Sequence, residues 1–197
     1  MRARDDILAS IRSRTRAAAP KPESYRAPTI ASDLVAAFVA KAESVNTEIR
    51  ILERADKIPT AIAEILRAHN LAARIYLPPN SDVTGLDALT IMRDPPGPDD
   101  TAVTYAPLAI AETGTLVQPA RDASPASWHF RPGFEIAILK ASDIVAHFED
   151  ALQKLKAQSL PPTINLITGP SRTGDIEQTL ELGAHGPKAL AVLIVRG

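Results

Sequence analysis

The 197-residue chain contains no cysteine. That excludes disulfides, thiolate zinc sites and a cysteine nucleophile, and it removes the usual ligands of an iron–sulfur cluster. Aromatic residues make up only 4%, too few for a surface on which bases stack. Neither sign of charge dominates: 22 Lys+Arg stand against 23 Asp+Glu, a formal net charge of -1. The chain as a whole therefore has no field to attract nucleic acid or an anionic membrane. No apolar run approaches the length of a membrane-spanning helix, and residues 1–19 lack the apolar centre of a secretory signal. The expectation is a cytoplasmic protein without a membrane span. The four histidines (His69, His129, His147, His185) are scattered, with no pair at ligand spacing on one expected helix, so no metal site is expected.

What is present is 45% apolar residues, enough for a sizeable core. Residues 1–26 are locally basic, with seven Lys or Arg against three acidic residues, and the spacing predicts a helix over 4–17. Pro20, Pro22 and Pro28 then mark a linker, so residues 1–29 form a helix and Pro-rich arm and residues 30–197 the main domain. Ser32 is the expected N-cap of a helix carrying Leu34, Val35, Phe38 and Ala42 on one face. Residues 48–52 predict a strand. Pro59 with Ile58, Ile62, Ile65 and Leu66 predicts the next helix. Further strands are expected at 73–77, 89–93, through the apolar run 102–111, and at 134–139, 161–166 and 189–195. Ser142-Asp143 is expected to open a helix with Val145, Phe148, Leu152 and Leu155 on its buried side and His147 exposed on the other. Residues 119–133, with Trp128, form a long loop suited to a lid, an interface or plain packing. Alternating helices and continuous apolar strands predict an α/β fold: an open, largely parallel sheet with helices on both faces.

Two stretches carry chemistry. In Glu112-Thr113-Gly114-Thr115 an acidic residue and a glycine sit between apolar strands. Glu112 is either a turn residue or a partly buried carboxylate beside which Gly114 lets a ligand approach the backbone. The second stretch, Gly169-Pro170-Ser171-Arg172-Thr173-Gly174-Asp175-Ile176-Glu177, follows a strand, and Ile176 with Leu180 restores helical spacing. It is either an anion site of free N–H groups and Arg172 at a helix start, or a turn capped by Ser171 or Thr173 with Asp175 and Glu177 favouring the helix. Ligands of open α/β sheets sit at the carboxyl ends of strands, so neighbouring strands would merge the two stretches into one site.

Together with Leu182-Gly183-Ala184-His185-Gly186-Pro187, these motifs resemble the LUD-domain family, of lactate-utilisation protein C type. The resemblance covers residues 30–197 in layout and is specific over 100–197. It implies a fold like the NagB/RpiA/CoA-transferase group. It also implies a cytoplasmic, accessory or ligand-binding role in oxidising L-lactate to pyruvate, alongside iron–sulfur partner proteins that carry the clusters, with no cofactor on this chain. The implied ligand-binding residues are Thr113, Gly114, Thr115, Gly169, Pro170, Ser171, Arg172, Thr173, Asp175, Glu177, His185 and Gly186. The run Arg131-Pro132-Gly133-Phe134-Glu135 departs from the family's Pro-Pro-x-His-like pattern. Two alternatives stand beside this reading. One is a stand-alone enzyme on a phosphorylated, nucleotide or CoA-linked substrate, with Glu112 as nucleophile or base. The other is a scaffold using the basic arm and the Trp128 loop.

Overall fold

The longest apolar runs become the centre of one sheet. A computed structural model of the chain describes residues 2–13, 27–30, 32–79, 81, 83–122, 124–158, 160–173, 181–182 and 186–197. In chain order the elements are α1 (Arg2–Ser13), α2 (Leu34–Ser44), β1 (Glu48–Leu52), α3 (Ile58–Ala68), β2 (Arg74–Tyr76), β3 (Thr90–Met92), β4 (Thr101–Ala106), β5 (Leu108–Ile110) and β6 (Thr115–Pro119). There follow α4 (Ser127–Phe130), β7 (Phe134–Lys140), β8 (Ile144–Val145), α5 (Phe148–Ala157), β9 (Ile164–Ile167), β10 (Arg172–Thr173), β11 (Glu181–Leu182) and β12 (Ala189–Val195).

The main sheet has the order β1-β12-β7-β4-β2-β3, and every pairing in it is parallel. Alternate residues of its central strands point to opposite faces. Ile136 and Ile138 face a core completed by Ile58, Ile62, Ile65 and Leu66 of α3. Those α3 residues recur at helical spacing behind Pro59, which stands in the first turn. Ala137 and Leu139 face the other way, onto Phe38 and Ala42 of α2 and onto Ala109, Leu116, Ile144 and Ile167. The last four belong to a second, mixed sheet of order β8-β5-β6-β9. Within it β5 pairs antiparallel with β6, and β6 antiparallel with β9. Its outer face, through Leu108, Ile110 and Val117, packs on Ala151 and Leu155 of α5. The order of layers is thus α3, main sheet, α2 with the second sheet, and α5.

The α/β class and its largely parallel sheet agree with expectation; the second sheet does not. The run 102–111 is two strands, because Pro107 lacks the N–H a continuous ladder needs and the chain there passes from one sheet to the other. Ser142 and Asp143 end a single 3-10 turn, Ala141–Asp143, and residues 144–147 are not helical. Ile144 and Val145 pair with Ala109 and Ile110, and the helix begins only at Phe148. Asp33, not Ser32, caps α2, accepting a bond from the Ala36 N–H at 3.0 Å. The long loop contains α4, whose Trp128 is buried against Tyr76 and Ala102, so it packs rather than projects. The expected linker falls almost wholly outside the described residues. Among the described residues, no helix is long and apolar enough to cross a membrane.

Candidate functional site

Glu112 sits in the turn between β5 and β6, and both of its carboxylate oxygens are engaged. Oε2 lies 2.7 Å from His147 Nδ1, and Oε1 accepts the backbone N–H of Phe148 at 3.1 Å. A carboxylate at a helix N-terminus is favoured by the free N–H groups there. The His147 hydrogen bond holds the Glu112 pKa below the usual range, against partial burial and with help from the Phe148 N–H. The same bond raises His147, against burial and with the added attraction of Glu112, Asp150 and Glu149. His147 is therefore not a free, solvent-facing side chain, as the helical spacing predicts. It locks the turn to the start of α5. A carboxylate of lowered pKa with both oxygens occupied is a weak base, which counts against Glu112 as the group that takes a proton.

Thr115 is the hinge between the two motif stretches. Its Oγ1 lies 2.7 Å from that of Thr113 and 2.7 Å from that of Thr168. The antiparallel pairing of β6 with β9, which places Leu116 opposite Ile167, brings Thr168 there. A cleft of about 280 Å³ lies over Glu112, Thr113, Thr115, Thr168 and the exposed Leu166. It adjoins a second, of about 180 Å³, lined by Thr168, Gly169, Pro170, Ser171 and Gly186. Ser171 and Pro187 are joined by a backbone bond of 2.9 Å from N–H to carbonyl. The strands carrying the two stretches are thus neighbours, and the motifs share one continuous surface.

Two expectations change. Gly114 and Gly169 both have positive φ, at 66° and 75°. The space a side chain would need at Gly114 is filled by α2, with Ala42 N at 2.5 Å; at Gly169 it is filled by the Val45 carbonyl oxygen at 2.7 Å. The close approach of α2 and the residue after it is by itself enough to require both glycines. Arg172 and Thr173 are themselves extended, in an antiparallel ladder with Glu181 and Leu182. The Arg172 guanidinium donates to the Asn46 amide oxygen, when that amide is turned to face it. Asp175, Glu177 and His185, and the helix expected around Ile176, lie outside the described residues.

A buried polar cluster escaped the motif analysis. Glu135 of β7 is fully buried and lies 2.7 Å from His129 Nδ1, while the Thr104 hydroxyl donates to the same oxygen at 2.7 Å. His129 Nε2 is 3.4 Å from Ser124 Oγ, and His129 also lines the smaller cleft. A Glu inside an otherwise apolar strand, six residues after a His, was the available signal. Among the described residues, no group of three His, Asp or Glu side chains forms a metal site.

The fold and the site define an α/β domain whose motif residues line the exposed side of a second sheet. Residues 98–195 match the LUD domain family. Over 98 residues the chain is 38% identical to a lactate utilization protein C of Macrococcus caseolyticus, covering 47% of this chain and 42% of that protein. A lactate utilization protein C of Bacillus velezensis is 37% identical over 98 residues, 47% of this chain and 41% of that one. An uncharacterized protein of Neisseria meningitidis serogroup B is 34% identical over 98 residues, covering 49% and 42%. The matched stretch is less than half the length of each of these relatives. The crystal structure of a DUF162-family protein from Deinococcus radiodurans is similar at a TM-score of 0.64 and 20% identity, covering 85% of this chain and 99% of that one. That likeness shows the α/β fold.

Proposed function

We propose that the protein takes part in lactate utilisation, as an accessory, ligand-binding component of a system that oxidises L-lactate to pyruvate with iron–sulfur partner proteins. The observation that carries this is the similarity, over 98 aligned residues, to several proteins named lactate utilization protein C, beside the match of residues 98–195 to the LUD domain. The absence of cysteine agrees with a subunit whose redox centres lie elsewhere. The surface from Thr113 through Thr115 and Thr168 to Ser171 is the place for a small polar ligand, because its hydroxyls both donate and accept.

Deletion of the gene is expected to abolish growth of the source organism on L-lactate as sole carbon source while leaving growth on pyruvate intact. Undiminished growth on L-lactate overturns the reading. Complementation with a Thr115→Val, Thr168→Val double variant, checked for normal abundance, tests the surface; full restoration removes the hydroxyl row from the function.

A further inference from the structure

Four buried side-chain polar atoms among the described residues lack a hydrogen-bond partner: Thr47 Oγ1, Ser81 Oγ, Gln118 Nε2 and Glu135 Oε2. Leaving such an atom unpaired forfeits its hydration with nothing in return, so each calls for an explanation. Ser81 and Gln118 share one. Both line a single cavity of about 600 Å³, which has no lining residue in common with the two motif clefts. Gln118 is 1% exposed and fixed on β6, next to Asn165 on β9, so its amide cannot swing out to water.

Two cations, Arg121 and Lys154, also line the cavity, and neither has an ion pair among the described residues. One carboxylate, Asp143, opposes them, which leaves the lining with one excess positive charge. The Tyr105 ring and Leu155 supply apolar wall. The Ser124 hydroxyl at the wall is reached by His129, which the buried Glu135 holds in place. Orphaned donors, unpaired cations and flat apolar walls around an opening of this size are the marks of a small-molecule site.

We propose that this cavity binds an organic anion of mononucleotide size. Its phosphate or carboxylate head lies at Arg121 and Lys154 and accepts from the Gln118 amide; its apolar body rests on Tyr105 and Leu155. The site is separate from the motif surface and does not depend on the role in lactate utilisation.

The full chain is titrated calorimetrically with AMP, which pairs a phosphate with a flat ring, and with octanoate, which pairs a carboxylate with an aliphatic body. Binding of at least one is expected, and binding of one alone identifies the head group. The Arg121→Ala, Lys154→Ala double variant is expected to weaken binding roughly tenfold or more, because both changes are at exposed cations that meet the anion. Gln118→Leu is expected to weaken binding while raising the melting temperature of the free protein, since it removes an unpaired buried donor. The proposal is overturned if neither compound binds at millimolar concentration, or if the double variant binds as tightly as the parent.

Discussion

Glu112 and His147 tie stability to pH through two opposite shifts. The His147 pKa is raised above its ordinary 6.5, so its share of stability is complete below 6.5 and is lost as pH rises through the raised value. That of Glu112 is lowered below its ordinary 4.5, so its share is complete above 4.5 and is lost as pH falls through the lowered value. Urea midpoints measured across pH should therefore show the pair contributing most between 4.5 and 6.5, and His147→Gln should flatten that dependence. A parent and variant with parallel profiles would show that the pair does not act. Thr115→Val should cost about 1–2 kcal/mol, the loss of two buried hydroxyl contacts, and should be coupled to Thr168→Val in a double-mutant cycle. His129→Leu leaves Glu135 buried without its imidazole partner and should destabilise by about 3–5 kcal/mol, with His129→Leu, Glu135→Leu together recovering most of the loss. At this scale the residues of the site were legible but their bonds were not. Glu112 and Thr115 stood out because polar residues interrupt apolar strands. Their partners His147 and Thr168 come from 35 and 53 positions away, set by a pairing that periodicity does not encode.

Among the elements, α2 does more than cover the sheet. Its C-terminal turn and the residues just beyond press on both motif turns at the two glycines. Gly114→Ala should lower stability by about 1–3 kcal/mol, because it combines positive φ with a backbone clash, and Gly169→Ala should do likewise. Thermal melts of the two variants test this, and a neutral Gly114→Ala would remove α2 as the cause. Strand β1 matched its expected bounds because Ile49 and Ile51 alternate with Glu48 and Arg50 between polar flanks. The break at Pro107 was written in the sequence but not its meaning: an apolar run says that a strand is buried, not to which sheet it belongs. The helix expected from Ser142 starts late for a related reason. Ile144 and Val145 satisfy helical spacing equally well as a two-residue strand beside β5, and the ladder with β5 takes them.

For the whole molecule, the family-matched stretch 98–195 holds only part of the core. It lacks α2, α3, β1, β2 and β3, and with them Phe38, Ile62 and Ile65, which close the core on both faces of the main sheet. A protein restricted to residues 98–195 should show no cooperative urea transition by circular dichroism; a sharp two-state curve would contradict this. The position of β12 carries one more consequence. It is not an edge strand but the second of six, wedged between β1 and β7, with Glu48 opposite Ala191 and Phe134 opposite Ala189. On the ribosome, β1 emerges long before the strand that will hold it, so its ladder groups must wait unpaired while most of the chain is made. Assembly of the sheet is thus gated by residues 189–195, a long-range closure of the kind that folds slowly and leaves nascent chains in need of protection.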